Sequence, residues 1–308
     1  MKEKTRKVLH LLSALGFKDS ISFIFKMFFS RNRTKAKAEF MADYTKRRFL
    51  PIMEKWKSVT IEKSPIPKRI FFFWWDGPSK MPVVPRLCYQ SLRFFYPEYE
   101  ILFIDKSNVE NYVSRTDIVY RRFLEKTVTI QNFSDYLRMT LIETLGGYWV
   151  DSTLLFLTRF SLESMLADNR SFGSAYGENN KSWRNLGEDH YTWNAYFIAG
   201  RKGSPVAGAF LDCFRKHYEK KKYPYDYFMV DDLLDTIRGA KIGEDALNRT
   251  IEIDGDFDSA MKENFLLDLG NQKEWEKCPQ KLNWRVSLPE ETVKEIEEIL
   301  QRSLSRSS

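Results

Sequence analysis

Histidine and cysteine are scarce in this 308-residue chain, with three of each. Cys88, Cys213 and Cys278 lie far apart and form no Cys-x-x-Cys pair, which argues against a disulfide framework and a cysteine zinc site. His10, His190 and His217 are equally scattered, so neither a histidine metal cluster nor a Ser-His-Asp triad is expected. Phosphate-binding glycine loops are missing too: there is no Gly-x-Gly-x-x-Gly and no Gly-Lys-Ser/Thr, which weakens dehydrogenase and ATPase readings. No charge-free apolar run approaches the roughly 20 residues of a membrane span. Without a cleavable signal peptide, the cytoplasm is the expected compartment. There are no internal repeats. A basic body is also lacking: residues 1–69 hold 18 Lys and Arg against 6 Asp and Glu, a net +12, which leaves −5 for the rest of a chain whose formal total is +7. That distribution does not suit a body that tracks a nucleic-acid backbone.

What is present reads as a large α/β unit with an appendage. Residues 1–63 are expected to form a basic amphipathic helical region. Its apolar positions from Val8 to Phe29 are interrupted by Lys18, Asp19 and Lys26, and Arg31, Arg33, Lys35 and Lys37 follow. An apolar face with a cationic flank suits a helix on an anionic membrane surface; a helix packed on its own domain has the same pattern. Ser64-Pro65-Ile66-Pro67 breaks the chain, and the main domain is expected over 64–288. A buried strand is predicted from Arg69 to Trp75, a helix over 82–95, a strand over 99–104, helix over 108–126 and 132–145, and strands at 148–150, 154–157 and 196–199. Helices over 204–220 and 226–238 follow. Residues 173–192 read as a long polar loop, a candidate lid, and 289–308 as a charged helix and tail. Strands alternating with helices imply a mostly parallel sheet flanked by helices.

The chemistry concentrates in two stretches. In Phe133-Ser134-Asp135-Tyr136-Leu137-Arg138, the acid and base three apart share a helix face. In Gly146-Gly147-Tyr148-Trp149-Val150-Asp151-Ser152-Thr153, a helix ends at twin glycines and a short strand delivers Asp151 to its end, where open α/β sheets take ligands. A carboxylate there can hold a ribose or a divalent cation bridging phosphates; a guanidinium fork can bind phosphate or sugar oxygens. Trp74 and Trp75 close the first strand, so one should face the core and the other the cleft, where an indole can stack on a nucleobase.

These segments, with Ile66-Pro67-Lys68-Arg69-Ile70, Phe73-Trp74-Trp75-Asp76-Gly77, Trp193-Asn194-Ala195-Tyr196-Phe197-Ile198-Ala199, Asp226-Tyr227-Phe228 and Lys281-Leu282, resemble the bacterial capsular polysaccharide synthesis protein family. The resemblance runs from Ile66 to about Arg285. It places the chain among glycosyltransferases whose Asp-x-Asp motif binds a nucleotide sugar, and it is similar also to the large clostridial glucosylating toxins and yeast mannosyltransferases. It implies a GT-A fold and an enzyme that moves a sugar from a nucleotide-diphosphate-sugar donor to a saccharide or lipid-linked oligosaccharide acceptor, with retention of configuration. Trp74 falls where relatives stack the base, Asp135 and Arg138 where they hold the donor sugar, and Asp151 at the first acid of Asp-x-Asp. Thr153 takes the place of the second acid. Mg²⁺ or Mn²⁺ is therefore implied only if Asp231 or Asp232 completes the site with Asp151; otherwise Lys281 or Arg138 would neutralise the diphosphate. Asn194 is placed to meet sugar hydroxyls. Two rivals remain: a toxin-like effector that glycosylates a protein, and a non-catalytic nucleotide- or glycan-binding relative.

Overall fold

The structure, a computed structural model, describes residues 11–61, 65–166, 170–176, 194–243, 251–252, 279–285 and 287–304. Three helices come first: α1 (residues 11–15), α2 (Phe17–Phe29) and α3 (Arg33–Met53). The body then runs β1 (Arg69–Phe73), α4 (Val83–Phe95), β2 (Glu100–Ile104), α5 (Ile118–Leu124), α6 (Ile130–Leu145), β3 (Gly147–Val150) and β4 (Leu154–Leu155). It continues with β5 (Phe172–Tyr176), β6 (Asn194–Gly200), α7 (Pro205–Lys220), α8 (Met229–Gly239), β7 (Ile251–Glu252), β8 (Gln280–Lys281) and α9 (Glu290–Leu304).

Alternation along the strands builds two cores, one on each face of the sheet. Phe71, Phe73, Trp149 and Ile198 enter the core shared with α3, α6, α7 and α8. Ile70, Phe72, Tyr148, Val150 and Phe197 enter the core shared with α4 and α9. Burial on both faces is why β1 reads Ile-Phe-Phe-Phe without a polar break.

The main sheet has the order β2-β1-β3-β6-β5-β7. β1 pairs parallel with both β2 and β3, β6 pairs antiparallel with β3 and β5, and β7 lies parallel to β5. Among the described strands of this main sheet β6 alone runs against the others. The expected α/β sheet with flanking helices is therefore found, mixed through a single reversed strand. The connection from β1 leads to β2 on one side, and the return to β3 lands on the other. The crevice between the carboxyl ends of β1 and β3 is thus a topological switch point, the place where open α/β sheets bind ligands.

Three local expectations change. Residues 108–126 do not form one helix: Val109–Asn111 is a 3₁₀ turn and α5 begins only after Asp117, whose carboxylate accepts from the N–H groups of Val119 and Tyr120. The predicted loop over 173–192 loses its first residues to β5, which pairs with β6 through Phe172↔Gly200 and Gly173↔Ala199; residues 177–192 lie outside the described residues. The N-terminal helices are not a loose appendage, because Phe40, Met41, Tyr44, Phe49 and Met53 of α3 are buried in the main core.

Candidate active site

Helix α6 starts at Thr129, whose hydroxyl accepts from Asn132 N–H, and stops at Gly146. Gly146 and Gly147 both have positive φ, 69° and 138°. A Cβ at Gly146 would lie 2.8 Å from Lys202 N, and one at Gly147 2.7 Å from Arg69 O. The reversal from α6 into β3 thus needs two residues without side chains. The same helix is pinned from behind: Tyr136 donates to Asp117 Oδ2 at 2.6 Å and accepts from Arg215 Nε at 2.7 Å. Asp135 and Arg138 on α6 are thereby held against Asp151 at the end of β3.

The predicted residues largely meet. Arg138 Nη2 lies 3.1 Å from Asp135 Oδ1 and 3.6 Å from Asp151 Oδ1. Its other donors go to Ser134 and to the Ala195 carbonyl, and its Cζ lies 5.0 Å from the Trp149 ring centre. Arg138 is 5% exposed and Asp135 7%, so the guanidinium acts as a buried brace between two carboxylates. Removing one partner of such a pair strands a buried charge, at about 3–5 kcal/mol.

Asp151 is the open member, with 24% of its side chain exposed against 6% for Arg138. Trp149 Nε1 donates to its Oδ1 at 2.9 Å. Lys281 Nζ donates to its Oδ2 and to Thr153 Oγ1, both at 2.7 Å. Lys281 is placed by β8, which pairs with β4 through Leu154↔Lys281, and by Leu282 N–H donating to Thr153 O at 2.8 Å. The Tyr196 ring lies 4.9 Å from its ammonium. Three residues further on, Trp284 meets Trp74 edge to face, with centroids 5.5 Å apart and planes at 87°. Segment 281–284 therefore spans from Asp151 to Trp74, the residue after β1. Trp75 turns to the opposite core, where it packs on Phe123 and Phe133.

The carboxyls respond differently to their surroundings. Burial pushes Asp135 up to about 6 against the pull of Arg138, and the Asp151 charge adds to the rise. Burial opposes the Asp151 charge as well, but Lys281 and then Arg138 outweigh it, and its carboxyl titrates below the ordinary range. Adjacent acids driven apart in this way are frequent at functional sites and occur in structural ion-pair networks too.

The remaining candidates sit nearby or apart. Asn194 opens β6, with its backbone opposite Ala175 at a bulge. Asp232 is buried in α8, close enough to raise the Tyr225 phenol after desolvation. Asp231 acts similarly on exposed Tyr227, whose phenol is raised first by desolvation and then by Asp135, with Asp231 and Asp151 adding. Among the described residues no three His, Cys, Asp or Glu side chains gather as metal ligands. Nor does the Asp151–Thr153 pair fit Mg²⁺ or Mn²⁺ here. Both carboxylate oxygens already accept from side-chain donors, and an ammonium stands where a cation bridging positions 151 and 153 would. Sequence reasoning missed Trp149, Tyr196 and Trp284. Trp149 was within reach, because residues two apart on a strand share a face.

No curated protein matches the chain. Among solved structures, one titled PaToxG Glycosyltransferase aligns at 12% identity with a TM-score of 0.41, over 85% of this chain and 94% of that one. A profile of the capsular polysaccharide synthesis protein family matches residues 22–292, from within α2 to the first turn of α9. The chain belongs to the capsular polysaccharide synthesis protein family.

Proposed function

We propose that this protein transfers a sugar from a nucleotide-diphosphate-sugar donor to a saccharide acceptor, using a GT-A type of nucleotide site and retaining anomeric configuration. One observation carries the reading. A partly open carboxylate, Asp151, follows β3 at the switch point, held by Trp149, Lys281 and Arg138, while its neighbours Asp135, Arg138 and Thr153 are buried. Trp74, at the end of neighbouring β1, offers a ring to the base; such stacking contributes roughly 1–3 kcal/mol. Asp151 accepts from ribose or sugar hydroxyls, Asp135 and Asn194 serve the sugar, and Arg138 fixes the two carboxylates. The acceptor hydroxyl oxygen bonds to the anomeric carbon as the bond to the diphosphate oxygen breaks, and the hydroxyl proton passes to the departing phosphate. Both site carboxylates are held by cations, which leaves neither as a free nucleophile and favours attack from the leaving-group face. The rate then comes from positioning and from charge stabilisation at the diphosphate.

In this reading the acceptor is lipid-linked and the protein works on the inner face of the plasma membrane. Support comes from α2, whose Phe17, Ile21, Ile24, Phe25, Phe28 and Phe29 are exposed. At helical spacing most of them form one outward stripe, and exposed Arg31, Arg33 and Lys35 follow. No described helix is long and apolar enough to cross a membrane, so the contact would be peripheral.

The test is donor hydrolysis and transfer by Asp151→Asn. A loss of at least about 100-fold is expected, with an unchanged circular dichroism spectrum. Near-normal turnover would remove Asp151 from the mechanism. Intact donor binding by a wild-type protein that never turns over would favour the non-catalytic relative.

A further inference from the structure

Sugar transfer from a nucleoside diphosphate leaves negative charge on the departing group, and something positive must meet it. We propose that Lys281 is that charge, standing in place of a divalent metal, so that this enzyme binds and uses its donor without Mg²⁺ or Mn²⁺. The proposal deepens the sugar-transfer reading and rests on it.

Three features of the site lead here. The first is position. Lys281 Nζ lies 2.7 Å from both Asp151 Oδ2 and Thr153 Oγ1, so it bridges the first and third residues of the motif. A metal held by those residues would share that space, and two cations cannot.

The second is ligand chemistry. A hard divalent ion wants several oxygen ligands and usually one or two free carboxylates. Thr153 offers a neutral hydroxyl. Asp151 accepts from Trp149 on one oxygen and from Lys281 on the other, with Arg138 close by. Asp135, the other acid of the cluster, is paired with Arg138.

The third is construction. The lysine is not a surface side chain that has folded inward: its own side chain is 11% exposed. Its backbone is fixed by pairing with Leu154, and the next residue is tied to Thr153 O. The Tyr196 ring supports the ammonium from another side. An ammonium has three N–H donors. Two go to Asp151 and Thr153, and the third is available to a phosphate oxygen beside them. Threonine in place of the second acid then has a physical reason, since a carboxylate there would compete with the diphosphate for the lysine.

The experiment uses the full chain, stripped with EDTA. Calorimetry would measure the affinity for UDP, GDP, ADP and CDP, with and without added Mn²⁺, and titrate Mn²⁺ alone. Donor hydrolysis would be followed in parallel. The expected result is one diphosphate bound in EDTA, with affinity and turnover changed less than twofold by Mn²⁺ and no Mn²⁺ bound to the free protein. Lys281→Met should weaken that diphosphate at least tenfold and slow turnover at least 100-fold, with Lys281→Arg intermediate and both variants melting as cooperatively as wild type. Thr153→Asp with Lys281→Ala should bind diphosphate only when Mn²⁺ is present. Tenfold or greater strengthening of wild-type binding by Mn²⁺, or unchanged binding by Lys281→Met, overturns the proposal and leaves the sugar-transfer reading standing. Failure to bind any diphosphate under either condition overturns both.

Discussion

Asp135 and Asp151 share one guanidinium yet titrate in opposite directions. Asp135 rises from 3.8 to about 6 because burial outweighs Arg138. Between those values the folded state holds a proton that the unfolded chain has lost. Its contribution to stability is therefore full below 3.8 and disappears as pH rises through about 6. Asp151, held down by Lys281 and Arg138, contributes stability above the ordinary carboxylate range and loses it as pH falls. Asp135→Asn removes only the first of these. Its melting temperature relative to wild type should climb between pH 4 and 7.5, by the equivalent of up to about 3 kcal/mol. Parallel pH–stability curves for the two proteins would contradict this placement of Asp135. At this scale the meeting of Asp135, Arg138 and Asp151 was legible, from their spacing and from the twin glycines. Lys281 and Trp284 were harder, because they reach Asp151 and Trp74 only through a two-residue ladder between β4 and β8, some 130 positions apart, with |i−j| of 130 for the Lys281–Asp151 pair.

Elements were legible where one signal dominated and misleading where two competed. The α6–β3 unit carries a capping threonine, buried spacing and a glycine stop, and it formed within two residues of expectation. Asp117 is a strong N-cap in front of Ile118, but the apolar residues on either side of it suggested one continuous helix. β5 was hidden because Gly173 and Ser174 are poor strand formers and only pairing with β6 secures them. Helix α2 packs one side on its own domain and turns an apolar side outward. Phe23 packs toward the core while Phe25 and Phe28 face outward at 59% and 76% exposure. Because α3 belongs to the core, deleting the N-terminal region would damage the fold, and point changes on α2 are the sound probe. Phe25→Asp with Phe28→Asp should reduce partition onto phosphatidylglycerol vesicles at least tenfold, since burying each ring is worth about 1.5–3 kcal/mol. Neutral phosphatidylcholine vesicles should bind the wild type more weakly. Equal flotation of variant and wild type would remove α2 from any membrane contact.

For the whole molecule, alternating strands and helices gave the α/β class, but the reversal of β6 was not visible. A strand's direction depends on its partners, and Asn194–Gly200 reads the same either way. The reversal has a consequence for the site: β6 lies antiparallel beside β3, so the Tyr196 carbonyl accepts from Asp151 N–H at 2.9 Å and the Ala195 carbonyl meets Arg138. Sheet order, the twin-glycine turn and the brace of Arg138 all direct one carboxylate to the crevice between β1 and β3. The most direct test is a crystal structure of the full chain with the nucleotide sugar that raises its melting temperature most. The account predicts the base beside Trp74 and Trp284, and the diphosphate within hydrogen-bond distance of Lys281 Nζ and next to Asp151. A ligand bound elsewhere, with Asp151 and Lys281 still closed on each other, would contradict it.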